Sequence, residues 1–147
     1  MSLPTVQQSK PAKITSWVLQ VIAALILLST VLPKLTGAEM AVGLFSSLGV
    51  EPWGRYATGI LELLTAALLL LPLVPWLGAV LALGIMAGAI TSHLFVLGIA
   101  VNGDPSMFVM ALVVTAASAI VLLLRRTQIP VVGARFRAAR QPDAASA

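Results

Sequence analysis

RYATGILELLTAALLLLP, residues 55–72, is the stretch that decides how the rest of this chain is interpreted. The run is apolar and long enough to cross a bilayer as a helix, yet Glu62 lies within it. An ionisable side chain at membrane depth costs about 2.5–3.5 kcal/mol even on the lenient insertion scale. We therefore expect Glu62 to have either a partner or a functional role.

The composition of the whole chain is that of a membrane protein. Of its 147 residues, 59% are hydrophobic and 10% are charged, and the mean hydropathy is +1.03, far from the values of soluble globular domains. The absence of cysteine excludes thiol chemistry and iron–sulfur ligation, and a single histidine argues against a bis-histidine haem or a four-coordinate metal site within one chain.

Four apolar runs predict an all-α fold, namely an integral membrane four-helix transmembrane bundle. Three of the predicted helices begin close to a proline, which loses no hydrogen bond in the first helical turn. The transmembrane domain is expected to cover residues 16–126, between an N-terminal tail (1–15) and a basic C-terminal tail (127–147). The four helices are predicted at about residues 16–36, 54–72, 75–100 and 105–124.

The basic residues indicate the topology. An even number of spans puts both termini on one side of the membrane, and the positive-inside rule makes the basic side cytoplasmic. The predicted localisation is therefore the cytoplasmic (inner) membrane, multi-pass, with both termini cytoplasmic. Because the net charge of +4 comes from chain ends rather than from one folded face, no nucleic-acid partner is predicted. The basic residues on this side are Lys10, Lys13, Arg125, Arg126, Arg135, Arg137 and Arg140.

Local signals refine the ends of the predicted helices. Pro33 is expected to bend or end the first helix just before Lys34, because its ring clashes with the carbonyl of Ser29. Residues 41–49, AVGLFSSLG, predict a short interfacial helix in the longest connection. Asp104 is expected to cap the last span.

A second local pattern concerns helix packing. Gly84 and Gly88 form a GxxxG stripe on the third predicted span. Small residues of this kind let membrane helices approach closely. The stripe is expected to pack within the bundle, and a dimer interface is the alternative.

Counting residues from the membrane boundaries places three ionisable side chains at a similar depth. At about 1.5 Å per residue, Glu62 lies about 10 Å below the outer boundary, which we set at Arg55. His93 lies about 25 Å above the inner boundary, set at Trp76, in an apolar core about 30 Å thick. Lys34 is at a similar height on the first span. All three therefore belong to the outer half of the membrane.

Helical periodicity turns Glu62 toward the interior and puts Lys34 on one face with polar residues, whereas His93 shares its face with Ile90, which suits lipid as well as a pocket wall. Small and polar residues flank Glu62 on one face of its helix, whereas leucines fill the other faces. We predict a ligand-binding or proton-handling pocket open toward the outer face. Its predicted residues are Lys34, Glu62, His93, Met86, Thr58 and Thr65.

Each ionisable residue also has a structural explanation. Glu62 is either the buried counter-ion of Lys34 or Arg55, or a group that handles a ligand or proton. His93 is either a pocket residue or a satisfied interface histidine, and Lys34 either lines the pocket or snorkels to the interface. No nucleophile–base set is present, so no catalytic residue and no metal site are predicted.

Three fragments, taken with their order and spacing, resemble the DoxX-like family of small four-helix membrane proteins. They are VLPKLTG (31–37), GILELLTAALLLLP (59–72) and LGAVLALGIMAGAITSHL (77–94). The resemblance implies a cytoplasmic-membrane protein, often linked to redox systems, whose founding members are associated with quinone-coupled sulfur oxidation. Lys34, Glu62 and His93 match the family's polar motif residues. The chain departs from the pattern at Gln20 and Val31, where many relatives carry arginine and glycine.

The resemblance and the pocket together favour an accessory subunit of a quinone-linked redox membrane complex that is not catalytic alone. In this hypothesis His93 donates a hydrogen bond to a quinone carbonyl, Glu62 accepts or relays the proton, and a redox-enzyme partner supplies the electrons. The alternative is a binding or scaffold protein for a small hydrophobic ligand or a membrane partner, and a small transporter is the third choice. The expected ligand is a quinone or lipid-like molecule, with no covalently bound cofactor. The expected partners are the lipid bilayer, the redox subunit and further copies of the chain.

Overall fold

The structure, a computed structural model, describes residues 9–129 of the chain. Within this range the fold is all-α, as the sequence predicted. Predictions about residues 1–8 and 130–147, including Arg135, Arg137 and Arg140, lie outside the described residues. The helices are α1 (Lys10–Thr36), α2 (Glu39–Ser47), α3 (Trp53–Leu70), α4 (Pro75–Ser92) and α5 (Ser106–Leu124). Two short helical segments follow α4 and α5: a π-helix (His93–Leu97) and a 3-10 turn (Arg126–Gln128).

Helix α1 is longer than predicted at its start. It begins at Lys10 rather than at residue 16, with Pro11 in its first turn. Proline is suited to that turn because the first helical N–H groups have no partner within the helix. Lys10 and Lys13 are therefore helical, and the predicted boundary of the N-terminal tail at residue 15 is wrong for the described residues.

The end of α1 is set by a glycine and not by Pro33. The helix continues through Pro33 to Thr36, so the expectation that it ends before Lys34 is wrong. Gly37 has a φ of 75°, a left-handed conformation that favours glycine, and the Ala38 N–H donates to the Pro33 carbonyl at 2.9 Å. The helix tolerates the missing N–H of Pro33, whereas the left-handed conformation of Gly37 ends it.

The predicted connections are present. The expected interfacial helix is α2, and the turn before α5 is closed by paired backbone hydrogen bonds between Val101 and Asp104 at 3.0 Å. The N-cap of α5 is Pro105, so the expectation that Asp104 is the cap is wrong by one residue. From the preceding position, the Asp104 carboxylate accepts from the Ser106 N–H at 2.9 Å and from the Ser106 hydroxyl at 2.8 Å. Hydrogen bonds from the Ser106 N–H and hydroxyl hold the pKa of the Asp104 carboxyl below its usual value.

Four helices form a ring in the order α1, α3, α4, α5, in which each packs against its two neighbours. A hydrogen bond at 2.9 Å from Arg125 Nε to Ser16 Oγ joins the start of α1 to the end of α5. Both ends of the described chain therefore lie on one side of the bundle, here called the Arg125 end. The predicted four-helix bundle is confirmed.

The exterior of the bundle is apolar and its core is made largely of small residues. Leucines such as Leu32 and Leu123 are 67% and 64% exposed, as expected for side chains that face lipid. Within residues 9–129, α1, α5 and α4 with its π segment have the length and hydropathy to cross a membrane; α3, the fourth wall, carries two charged residues. The buried core residues include Ala23, Ala24, Leu27, Ala66, Leu69, Ala79, Ala82, Ala111, Val114, Ala117 and Val121.

The glycines of α4 differ in how closely they pack against the rest of the bundle. A Cβ added to Gly78 would lie 2.6 Å from the Leu69 backbone nitrogen, so α4 and α3 are in close contact there. A Cβ added to Gly84 or Gly88 would meet nothing within 4 Å. The expectation that the Gly84–Gly88 stripe packs within the bundle is therefore wrong for the described residues, and Gly78 has that role instead.

We predict that Gly78→Ala destabilises the bundle and that Gly84→Ala does not. The new methyl group at Gly78 would press on the backbone of α3, which cannot rotate away, and overpacking of this kind costs about 1–3 kcal/mol. At Gly84 the methyl group has room, and alanine favours a helix over glycine. Thermal unfolding of the two variants in the same detergent measures the difference, and equal stabilities would contradict the close approach at Gly78.

Candidate functional site

The centre of the site is an ion pair between α1 and α3. Lys34 Nζ lies 2.7 Å from Glu62 Oε2 and 2.9 Å from Oε1, so the ammonium bridges both carboxylate oxygens. The hydroxyl of Thr30, one turn before Lys34, has two acceptors for its one hydrogen, Glu62 Oε2 at 2.9 Å and the Leu27 carbonyl at 2.8 Å. The side chains of Lys34 and Glu62 are 15% and 5% exposed. Charge-assisted bonds of this length are among the strong hydrogen bonds of proteins.

Helix geometry explains why these groups meet. Thr30 and Lys34 are four residues apart and so lie on the same face of α1. Gly59, one turn before Glu62, lets α3 come close to α1, because a Cβ there would be 3.0 Å from Leu35 Cδ2. The glycine leaves room for the Lys34 and Leu35 side chains of α1 beside α3, one turn from Glu62.

Arg55 is not the partner of Glu62. Its guanidinium pairs with Glu51 at 2.8 Å, and its Nη1 donates to the Lys34 backbone carbonyl. Lys34 is near the C-terminal end of α1, where backbone carbonyls have no partner within the helix. Arg55 therefore donates to that end of the helix, while the Lys34 side chain pairs with Glu62. Of the two counter-ions considered from the sequence, the structure selects Lys34.

His93 occupies the first position of the π-helix that follows α4. Its Nδ1 lies 2.9 Å from the Gly98 carbonyl oxygen, and its ring meets Phe108 of α5 edge-on, with centroids 5.8 Å apart. A carbonyl only accepts, so Nδ1 carries the hydrogen and donates it. In the neutral ring Nε2 is then a hydrogen-bond acceptor, not a donor.

The ion pair and His93 line one cavity of about 690 Å³. Five of the six predicted pocket residues are on its wall: Lys34, Glu62, His93, Met86 and Thr58. The sixth, Thr65, is not; it is fully buried in the bundle below Glu62. The hydroxyl of Thr58 donates to the Gly54 carbonyl at 2.7 Å and so keeps only its acceptor capacity for the cavity.

Two parts of the wall were not found from the sequence. Helix α2 contributes apolar side chains such as Leu44 and Phe45, and α5 contributes Met107 and Met110. The apolar face of α2 and the spacing of the two methionines were visible signals, but they do not show which cavity these residues face. Methionine side chains adapt to irregular ligands, and the cavity volume is within the usual range of small-molecule sites.

The glycines of α4 are part of the exposed rim of the cavity. Gly84 and Gly88 line it and are exposed, and we call this part of the rim its mouth. A Cβ at Gly78 would press on the α3 backbone, whereas a Cβ at either of these two glycines would meet nothing within 4 Å. The mouth lies on the apolar side of the bundle, where a lipid-soluble molecule would arrive.

A second polar cluster lies at the Arg125 end. Gln20 Nε2 donates to Ser16 Oγ at 2.6 Å, and Arg125 Nε donates to the same oxygen at 2.9 Å. Ser16 and Gln20 are fully buried and Arg125 is 6% exposed. Burial lowers the pKa of Arg125, which follows α5 and lies outside its membrane-spanning segment.

These features define a class: small multi-pass membrane proteins that enclose a polar pair within a helical bundle. Residues 18–122 match the sequence profile of the DoxX-like family. The chain belongs to that family, as the fragments around Lys34, Glu62 and His93 indicated. Comparison with curated proteins and with solved structures found no match.

A double-mutant cycle should show that Lys34 and Glu62 stabilise the bundle as a pair. Glu62→Gln or Lys34→Met alone leaves a charge at membrane depth, and breaking a buried pair costs about 3 kcal/mol or more. The double variant removes both charges and should lose less stability than the two single variants added together. Thermal unfolding in detergent measures all three, and Lys13→Met, at an exposed position of α1, is the control. Additive losses would show that the pair is not coupled.

Proposed function

We propose that this DoxX-like protein binds a lipid-soluble quinol in the cavity, as the accessory subunit of a quinone-linked redox complex. The observation that carries the proposal is that one cavity is lined both by His93, whose Nδ1 bonds to the Gly98 carbonyl, and by the Lys34–Glu62 pair. The two polar features suit the ring hydroxyls of such a ligand, and the methionines and leucines suit its ring and tail.

The hydrogen-bond roles favour the reduced form of the ligand. A quinone carbonyl only accepts, so it cannot bond to the Nε2 of a neutral His93 whose Nδ1–H is donated to Gly98. A quinol hydroxyl can donate to that nitrogen. The initial hypothesis that His93 donates to a quinone carbonyl is therefore replaced by one in which His93 accepts from a quinol hydroxyl.

A bound quinol would supply two electrons and two protons when it is oxidised. In our proposal His93 Nε2 accepts one proton while its Nδ1–H stays on the Gly98 carbonyl. The Glu62 carboxylate accepts the other, and Lys34 and Thr30 orient that carboxylate. The electrons leave to a partner subunit, because the chain has no cysteine and only one histidine from which to build a redox centre.

The basic residues support a topology for this complex. Lys10, Lys13, Arg125 and Arg126 are at the same end of the bundle. We propose that this end faces the cytoplasm and that the protein resides in the inner membrane, by the positive-inside rule. The cavity would then open in the outer half of the bilayer.

The His93 assignment predicts a preference for reduced ligand. His93→Leu should weaken binding of a short-chain ubiquinol about tenfold, the usual effect of losing one good hydrogen bond, and should change binding of the matching ubiquinone little. Tryptophan fluorescence quenching in detergent measures both affinities. Thr91→Val is the matched control, because the Thr91 hydroxyl donates to its own helix at Ala87. Equal losses for the two ligand forms would contradict the acceptor role.

Filling the mouth should block binding without disturbing the bundle. Gly88→Leu places a side chain in a space where nothing lies within 4 Å of a new Cβ, and we expect it to abolish ubiquinol binding while stability is maintained. Gly43→Leu on α2 has equal room but lines a different surface, so it is the control. Unchanged binding in Gly88→Leu would show that this cavity is not the quinol site.

The second candidate is a ligand-binding or scaffold protein with no redox role. The observation that favours it is the exposed Gly84–Gly88 stripe, which a partner helix or a second copy of the chain could cover. Mass spectrometry of what copurifies with the detergent-extracted protein separates the two. A redox subunit supports the first candidate, and a lone chain with a bound lipid supports the second.

A further inference from the structure

Three buried polar atoms in the bundle have no hydrogen-bond partner among residues 9–129. They are Gln20 Oε1 on α1, Thr65 Oγ1 on α3 and Ser118 Oγ on α5. All three side chains are fully buried. The lipid around the bundle cannot supply the missing bonds, since it has no polar groups at this depth. Any partner must therefore be inside the bundle.

Thr65 and Ser118 differ from most hydroxyls of the bundle. Serine and threonine in a helix usually donate to a carbonyl one turn earlier, and here Ser29, Thr36, Thr58, Thr91, Ser92 and Thr115 all do so. Thr65 and Ser118 make no such bond. Their hydroxyls are left for another partner in the interior.

Two contacts fix the heights of these atoms along the bundle axis. Arg125 meets Ser16 at one end, and Ser118 precedes Arg125 by seven residues, so Ser118 lies about 10 Å above Ser16. Gln20, four residues after Ser16, lies about 6 Å above it. Gln20 and Ser118, the two groups nearest the Arg125 end, are therefore about 4 Å apart along the bundle axis.

The contact between Thr30 and Glu62 gives the height of Thr65. Thr30 meets Glu62 at about 21 Å above Ser16, and Thr65 follows Glu62 by three residues, so Thr65 lies at about 16 Å. From Gln20 through Ser118 and Thr65 to Glu62, each axial step is about 4–6 Å. One water with two hydrogen bonds spans about that distance.

We propose that Gln20, Ser118 and Thr65 hold a file of water molecules that connects the Arg125 end with the Glu62 carboxylate. Each orphaned atom supplies one bond to a water, and the waters satisfy one another, as buried waters in polar sites do. The three groups lie in a buried core made largely of small side chains such as Ala23 and Ala66. The file reaches Glu62 from the Arg125 end.

The use of the file as a proton route rests on the proposed function. If Glu62 takes a proton from a bound ligand, the file gives that proton a path to the Arg125 end that does not cross the ligand cavity. The presence of the waters does not depend on that function. It can therefore be tested without any quinol.

Water-to-protein polarisation transfer in solid-state NMR tests the file in lipid bilayers. In the ¹³C-labelled full chain, we expect transfer to the side chains of Gln20, Thr65 and Glu62, and none to Leu69, which is fully buried at the depth of Ser118 and does not line the cavity. The double variant Thr65→Val, Ser118→Ala should lower transfer to Glu62 severalfold. Thr115→Val, whose hydroxyl donates to its own helix, should leave it unchanged.

Gly88→Leu distinguishes water that reaches Glu62 along the file from water that reaches it through the cavity. If the file supplies Glu62, closing the cavity mouth leaves transfer to Gln20 and Thr65 in place. Transfer to Glu62 that survives the double variant but disappears in Gly88→Leu would show that water reaches it through the cavity, and would overturn the proposal. No transfer to Gln20 and Thr65 in the parent protein would also overturn it. Failure of quinol binding would leave these outcomes unaffected.

Discussion

The contact between Lys34 and Glu62 is the constraint on which the arrangement of the bundle depends. Each charge alone would be costly in lipid, so the two helices that carry them must stay in register for either to be tolerated. Lys34 is in the last turn of α1, whereas Glu62 is near the middle of α3. The pair therefore ties the end of one helix to the centre of the next, and Arg55 closes the α1 terminus above it.

The cavity follows from where the helices can and cannot come close. Gly59 and Gly78 allow α3 to approach α1 near the pair and α4 near the Arg125 end. Gly84 and Gly88 make no comparable contact, and both line the cavity beside the ion pair. Helix α2 and the π-helical segment also contribute to the wall of that cavity. The close contact at Gly78 and the cavity thus belong to different levels of the bundle.

Depth and helical period were enough to predict part of this site. Counting residues placed Lys34 and Glu62 at one level, because the rise of a helix is constant. The same count could not show that Gly78, rather than Gly84, makes the close contact, since the two glycines have similar sequence surroundings. Nor could it give the π-helix that turns the His93 ring toward the Gly98 carbonyl. That hydrogen bond depends on the backbone path after α4, and it makes Nε2 the acceptor nitrogen of the neutral ring.

The charge balance of the cavity restricts what it can hold. Among its described lining residues Lys34 and Glu62 are the only lysine, arginine, aspartate or glutamate side chains, and they cancel each other. A charged ligand would have to compete with one of them and leave the other unpaired at membrane depth, which is costly. A neutral molecule with a hydroxyl group can instead bond to His93 and to the edge of the ion pair without separating it. The pair that stabilises the bundle therefore also favours neutral amphiphiles over ions, so its structural and functional explanations are compatible.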